Sequence, residues 1–250
     1  MTEHVRVARE AGVLTLTLAR SDKKNALTGA MYEALIAGLA EAESDATIGA
    51  ALLTGSGGSF SAGNDIGDFI AHASSGAAMP AFRFVKAIAG FGKPLVAAVE
   101  GVAVGVGTTM LFHCDLVYAA PGAKFRMPFI DLALVPEAGS SLTVPTRFGH
   151  ARAAELLMLG EAFDAAEALR LGLVNAVVPA DALLATAQEK AARLAAKPRA
   201  AMAATRRLIR GDTGPLMARI DEEAQAFARA MVSPEAAAAF AAFMSKSAAR

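Results

Sequence analysis

The sequence predicts an α/β fold whose final part is helical throughout. Three observations carry that prediction. Val13–Leu18 (VLTLTL) alternates apolar residues with threonine, the period of a half-buried strand. Leu95–Glu100 is an apolar run that ends in a glycine-rich turn, Gly101–Gly107, with a helix opening behind it. From Asp181 onward strand patterns stop and helical ones follow one another. The chain is therefore read as residues 1–180, a mixed α/β core that carries the functional site, and residues 181–250, an all-α region.

The remaining elements follow in order. Arg20–Asn25 is a polar turn, and Thr28 can cap a helix from Gly29 to about Glu43, with Met31, Leu35, Ile36 and Leu39 on one face. Ala50–Thr54 is a short strand and Gly55–Gly58 a turn. Gly67–Gly92 mixes helix-like apolar pieces with Ser, Gly and Pro, and is expected to be a mobile cover of weak order. Thr108–Cys114 begins a helix and Leu116–Ala119 is a strand. Ala138–Phe148, Ala151–Leu159 and Ala165–Leu171 read as helices, the last stopped by Gly172. Leu173–Val178 is a strand closed by Pro179. Asp181–Ala196, Arg199–Ile209, Leu216–Met231 and Pro234–Lys246 complete the helical region.

Composition narrows the function classes. Of the 250 residues 54% are hydrophobic and 19% charged, with Lys+Arg 24 against Asp+Glu 24. That balance removes the electrostatic case for nucleic acid or an anionic membrane surface, and the apolar content excludes a wholly disordered chain. The single cysteine, Cys114, excludes an internal disulfide framework and a four-cysteine zinc site. The longest nearly apolar stretch, Pro94–Phe112, is broken by Glu100 and glycines, so no spanning helix is expected. The first residues, MTEHVRVARE, lack the apolar core of a signal peptide, and the last, SKSAAR, differ from the peroxisomal address. A cytoplasmic location is the expectation.

Two glycine-containing turns share a design: Phe60–Ile66 (FSAGNDI), directly after a strand and turn, and Gly101–Gly107 (GVAVGVG), after the strand Leu95–Glu100 and opening a helix. Such turns leave backbone N–H groups free, and two N–H groups from separate turns that converge on one point make an oxyanion hole. The competing reading is that the glycines only permit tight turns and close packing. A dinucleotide site is excluded because Met110 stands at the third glycine position, and a phosphate loop because no Gly-Lys-Ser/Thr follows. His113, Cys114 and Asp115 are adjacent on one helix, point different ways and read as core. His4, His72 and His150 have no partner pattern, so no metal is expected. Ser140 and Ser141 lack the GxSxG elbow of a serine nucleophile.

FSAGNDI, then KPLVAAVEGVAVGVGTTMLFHCDLVYA, then FRMPFIDLALVPEAGSS, in this order and spacing, resemble the enoyl-CoA hydratase/isomerase (crotonase) superfamily. The resemblance extends to the early turn DKKNAL, to LLMLGEAFDAAEALRLGLVNAVVP and to the closing helices. It implies a crotonase-like spiral of ββα units with an all-α C-terminal trimerisation region, assembling as a homotrimer or a dimer of trimers. It also implies an acyl-CoA thioester substrate, drawn from fatty-acid metabolism, with no separate cofactor.

By position the resemblance makes the N–H groups of Ala62 and Val106 the oxyanion donors; the second position usually carries glycine in the family. Hydratases of the family carry two glutamates where this chain has Thr109 and Phe129, and neither side chain can move a proton in that role. Glu137, in Leu134–Ser141 (LVPEAGSS), is similar to the single glutamate of the Δ3,Δ2-enoyl-CoA isomerases, which shuttles one proton between C2 and C4. One carboxylate suffices for a 1,3-shift, because the group that takes the proton returns it. Glu137 can alternatively be read as a first-turn acid favoured by a helix dipole, and Asp131 is the rival base. The resemblance further implies CoA contacts at Lys24, Ala26, Asp65, Ile66 and Lys246, and an acyl pocket at Phe129, Thr109 and Val135. Asp65 is also read as a helix cap, and Lys23 and Lys246 equally as plain surface lysines. The leading expectation is thus isomerisation of 3-enoyl-CoA to 2-enoyl-CoA. The alternatives are an enoyl-CoA hydratase and a weakly catalytic CoA-binding scaffold.

Overall fold

The computed structural model describes residues 2–75 and 79–248, with side chains at 2–71 and 79–245. The chain opens with a hairpin, β1 (Val5–Glu10) and β2 (Val13–Leu18), paired antiparallel from Val5↔Leu18 to Glu10↔Val13. Its two-residue turn places both Ala11 and Gly12 at positive φ, the arrangement that matches strand twist. β1 is absent from the elements expected above, although Val5 and Val7 alternate with Arg6 and Ala8 in the strand period.

The remaining elements are α1 (Gly29–Ser44), β3 (Ala50–Gly55), α2 (Ile66–Ser75), α3 (Pro80–Gly90), β4 (Leu95–Val99), β5 (Val102–Val104), α4 (Val106–Thr109), β6 (Leu116–Ala119), β7 (Lys124–Arg126), α5 (Ser140–Phe148), α6 (His150–Met158), β8 (Phe163–Asp164), α7 (Ala165–Arg170), β9 (Ala176–Val177), α8 (Ala180–Ala195), α9 (Arg199–Arg210), α10 (Gly214–Met231) and α11 (Pro234–Ala248). Three 3₁₀ turns, Ser21–Lys23, Met110–His113 and Ile130–Leu132, link them. Thr28 caps α1 as expected, its hydroxyl accepting from the Met31 N–H.

Nine strands form two sheets among the described residues. The larger has the order β1-β2-β3-β4-β6-β9 and is parallel from β2 onward; the smaller is β5-β7-β8. The chain repeats one move. A strand of the large sheet leads to a short extended segment in the second layer and then to a helix: β3 to the Ser61 bridge to α2, and β4 to β5 to α4. This is the expected spiral of ββα units.

One face of the large sheet carries the main core. Phe60, Phe84, Leu16, Leu53 and Leu95 are among its buried side chains. The other face is covered by α8, whose Leu183, Ala187, Ala191 and Ala195 pack on Val13, Leu52, Val96 and Tyr118. Alanines at four-residue intervals let this helix approach closely, and a Cβ on Gly49 would lie 2.7 Å from the Ala195 backbone.

The segment expected as a cover is instead two helices, with residues 76–78 outside the described ones. On α3, Ala81, Phe84, Val85 and Ile88 recur at helical spacing and are buried, so this part is core. Phe84 and Ile88 are fully buried, which stabilises the fold by about 1.5–3 kcal/mol each. The glycine-rich turn 101–107 contains β5, and the helix expected over Thr108–Cys114 is a single α-turn followed by a 3₁₀ turn.

Candidate active site

The two glycine-containing turns are bonded to each other through their main chains. Ser61 N–H donates to Val102 O and Val104 N–H to Ser61 O, both at 2.9 Å. Gly63 has φ 88°, and a Cβ there would lie 2.7 Å from Val104 O, so only glycine fits. The DKKNAL turn docks on the same spot. Asn25, fully buried, donates through Nδ2 to Ser56 O and Ser59 O at 2.9 and 2.7 Å, which sets Lys24 O beside the first turn.

That docking corrects one expectation. Ala62 N–H donates to Lys24 O at 2.8 Å, so the group assigned as an oxyanion donor is spent on the fold. Two residues on, Leu27 N–H donates to Gly63 O and Asp65 N–H to Leu27 O, as the parallel bridge Leu27↔Asn64 requires. Groups alternate in direction along an extended segment, so Asn64 N–H faces the other way, and no described residue accepts from it. Val106 keeps its expected candidacy: its side chain is buried in the main core and its N–H, in the first turn of α4, has no acceptor among the described residues.

Glu137 lies in the irregular segment between the 3₁₀ turn Ile130–Leu132 and α5, and is only 6% exposed. Thr109, fully buried, donates its hydroxyl to Glu137 Oε1. The position expected to line an acyl pocket thus sits against the carboxylate. Burial pushes the Glu137 pKa up to about 8; the Thr109 bond works against that rise and the negative charge of Glu223 adds to it.

Two groups absent from the expectations, Tyr32 and Glu223, join this site, together with His113, expected above only as core. Tyr32, on the buried face of α1, donates its hydroxyl to Asn64 Oδ1 at 2.5 Å. Burial raises the Tyr32 pKa well above its ordinary value, with further contributions from the charges of Glu137 and Asp68, so the phenol stays protonated beside the carboxylate. A small cavity of about 10 Å³ is bounded by Tyr32, Asn64, Asp68, Phe69 and Met79. Glu223, on α10, accepts from Gly139 N–H at 2.6 Å and Ser141 N–H at 2.8 Å. His113 Nε2 lies 2.9 Å from Ala138 O; a carbonyl only accepts, so Nε2 carries the proton. Burial pulls the His113 pKa down to about 4, which keeps the ring neutral.

Other expected residues take plainer places. Asp65 Oδ1 caps α2 at Asp68 N–H and Oδ2 pairs with Arg20 at 2.7 Å, so both oxygens serve the fold and not a ligand. Burial raises its pKa, but Arg20 and the backbone N–H groups outweigh that and hold it low. Asp131 is exposed and paired with Arg126 at 2.8 Å, which removes the rival base from the buried site. Lys24 is exposed at a left-handed turn residue, Ala26 and Ile66 are half-buried nearby, and Phe129 and Val135 pack on the main core. The side chains of Lys246 and His72 lie outside the described residues. No cluster of three metal-ligating side chains occurs among the described residues, and none of their helices is long and apolar enough to cross a membrane.

With this geometry in place, the comparisons with known proteins agree on one group. A family model described as enoyl-CoA hydratase/isomerase matches residues 8–249. Enoyl-CoA delta isomerase 2 of Rattus norvegicus is 36% identical over 223 residues, covering 87% of this chain; the chain spans 57% of that relative's length. The 2,3-dehydroadipyl-CoA hydratase of Escherichia coli (strain K12) is 32% identical over 243 residues, 96% of this chain and 95% of that protein. The crystal structure of an enoyl-CoA hydratase/isomerase from Pseudoalteromonas atlantica T6c is similar with a TM-score of 0.93 at 41% identity, covering 98% of each chain.

Proposed function

The chain belongs to the enoyl-CoA hydratase/isomerase family, and from that premise we propose that it isomerises a 3-enoyl-CoA thioester to the conjugated 2-enoyl-CoA. The observation that carries this reading is Glu137: one buried carboxyl group, bonded to Thr109, with its pKa near the working range of a general base. Its carboxylate removes a C2 proton. The C2–H electrons pass into the thioester, giving a dienolate over O, C1, C2, C3 and C4. The same group then delivers its proton to C4, the C1 carbonyl re-forms and the double bond rests between C2 and C3. The N–H groups of Asn64 and Val106 face the thioester oxygen while it carries charge, Asn64 replacing Ala62 because its N–H is unspent. Each such donor is worth about 2.7–4 kcal/mol in the transition state.

Water addition needs one group to activate the water and a proton source for C2. The other buried carboxylate beside this turn, Glu223, has both oxygens bound to N–H groups, which favours the single-carboxylate reaction. Lys24, Ala26, Ile66 and Lys246 are the proposed CoA contacts. Self-association as trimers, or paired trimers, is supported by Leu208 and Ile209 on α9, 78% and 80% exposed. Sedimentation analysis that finds only monomer would overturn it.

The test of the activity uses pure protein with a 3-enoyl-CoA and, separately, a 2-enoyl-CoA in water. Turnover of the first alone is expected, and Glu137→Gln should lower it by about 10²–10⁴-fold while CoA-thioester binding persists. Hydration that survives the substitution refutes Glu137 as the base. Binding without any turnover makes the protein a scaffold.

A further inference from the structure

We propose that Glu223 is a positioning residue for Glu137: it grips the turn that aims the Glu137 carboxyl group, so that a helix from the C-terminal region forms part of the proton-transfer machinery. The proposal rests on the reading of Glu137 as the base and adds a residue 86 positions away in the chain.

The turn after Glu137 is closed by one main-chain bond of its own, Ser140 N–H to Glu137 O at 3.0 Å, across a strained path. Ala138 has φ 61° and Gly139 has φ 69°, two successive residues in the left-handed region. For a residue with a Cβ that conformation is strained, so Ala138 keeps it only because its surroundings impose it. The grip comes from both sides. His113 donates to Ala138 O, while Glu223 takes the N–H of Gly139 on one oxygen and that of Ser141 on the other. Leu216, also on α10, fills the space beside Gly139 so closely that a Cβ there would lie 2.4 Å from its Cδ1. Arg219, one turn before Glu223, reaches Ser141 Oγ at 3.2 Å. Three residues of one helix thus meet the turn, and the carboxylate among them takes the N–H groups on either side of the one that closes it.

A cap on α5 alone would use the same two N–H groups, so charge separates the two roles. Glu137 faces Thr109 from α4, Tyr32 from α1 with Asp68 of α2 behind it, and Glu223 from α10. Burial raises the Glu223 pKa, opposed by the bonds from Ser141 and Gly139 and by the charge of Arg219 on its own helix, and His113 is neutral. The negative charge on Glu223 makes ionisation of Glu137 harder, so removing it should make Glu137 a carboxylate at lower pH.

Glu223→Gln keeps the shape and one acceptor oxygen, and Glu223→Asp keeps the charge with a shorter reach. In Glu223→Gln, kcat for 3-enoyl-CoA is expected to fall about tenfold with KM within about twofold. The limb of the kcat/KM profile set by Glu137 should move to acid by about half a pH unit or more. Glu223→Asp should lower kcat while leaving that limb in place. A ¹³C-NMR titration of the Glu137 carboxyl, on protein without substrate, should show the same acid shift in Glu223→Gln. This last readout does not depend on turnover, so a wild type that fails to isomerise sinks the proposed function and leaves the link between the two glutamates still tested. A lower melting temperature with kcat per folded molecule, pH limb and NMR titration all unchanged would make Glu223 only a helix cap and overturn the proposal.

Discussion

The turns that carry Asn64 and Val106 are joined by main-chain hydrogen bonds to each other and to the Lys24 turn, whereas the turn that carries Glu137, closed by one main-chain bond of its own, is anchored to the rest of the fold by side chains from two distant elements. The first region depends on where glycine is allowed and on which N–H groups are spent: Val106 keeps its N–H while its side chain goes into the core. The second depends on which carboxylates and hydroxyls lie nearby, because in the proposed reaction its Glu changes charge. A backbone donor has no pKa to set. A buried acid does, and its surroundings can move it by several units.

The contrast breaks most severely at Gly63. Gly63→Ala forces a Cβ to 2.7 Å from Val104 O at φ 88°, so one turn must move off the other. The expected outcome is a fall in kcat of about 10²–10³-fold, the cost of losing one oxyanion donor. The pH limb set by Glu137 should stay where it is, since no charge near that group changes. A variant with near-normal kcat would show that the two turns need not be joined.

One side-chain contact crosses into the main-chain region, the bond from Tyr32 to Asn64 Oδ1. Tyr32→Phe removes that bond and leaves the packing of α1 intact. Turnover is expected to fall about tenfold, equivalent to one net hydrogen bond of about 1–1.5 kcal/mol, with little change in KM. Wild-type turnover in this variant would mean that Asn64 is held by its backbone alone.

Stability offers a third comparison. Glu137 has a folded pKa of about 8, above its unfolded value near 4.5. Such a group contributes fully below the unfolded pKa, and its contribution is lost as pH rises through the folded one. Glu137 therefore contributes a decline of at most about 1.4 kcal/mol per pH unit between about pH 4.5 and 8, and because His113, with its pKa held down to about 4, contributes the opposite slope up to about pH 6.5, the net wild-type decline is expected above about pH 6.5. Glu137→Gln, which mimics the protonated form, should remove that slope in denaturant titrations. A wild type and variant with parallel stability profiles would show that Glu137 ionises freely.

How much of this was legible in the sequence also follows the divide. The Glu137 segment and both glycine turns are contiguous motifs, so their place in the site could be read directly. Spacing alone could not choose between Ala62 and Asn64, because the register with Lys24 and Leu27, not the motif, decides which N–H groups are spent. Tyr32 sits beside Met31 on the buried side of α1, where nothing in the helical pattern marks it apart from the core. Glu223 left one signal: on α10 the buried positions are Ile220, Glu223, Phe227 and Met231, an apolar stripe with a carboxylate in it. Acids are almost never buried without a partner, so that stripe announced a bond, but nothing local told that its partner lay more than 80 residues earlier.

Thr109 gives the smallest expected effect and the sharpest discrimination. Its hydroxyl donates to Glu137 Oε1 and so favours the carboxylate, opposite in sign to the charge of Glu223. Thr109→Val is nearly isosteric and removes only the donor. The Glu137 limb of the kcat/KM profile should then move to alkaline pH by about half a unit, with the plateau rate within about threefold of wild type. Glu223→Gln should move the same limb the other way, and the double variant should return it close to the wild-type position. Additivity of the two shifts would mean that each residue acts on Glu137 separately, through its own bond or charge. A Thr109→Val profile that moves to acid, or stays fixed, would mean that the hydroxyl does not donate to the carboxylate during turnover, and the base would then be tuned by burial and Glu223 alone.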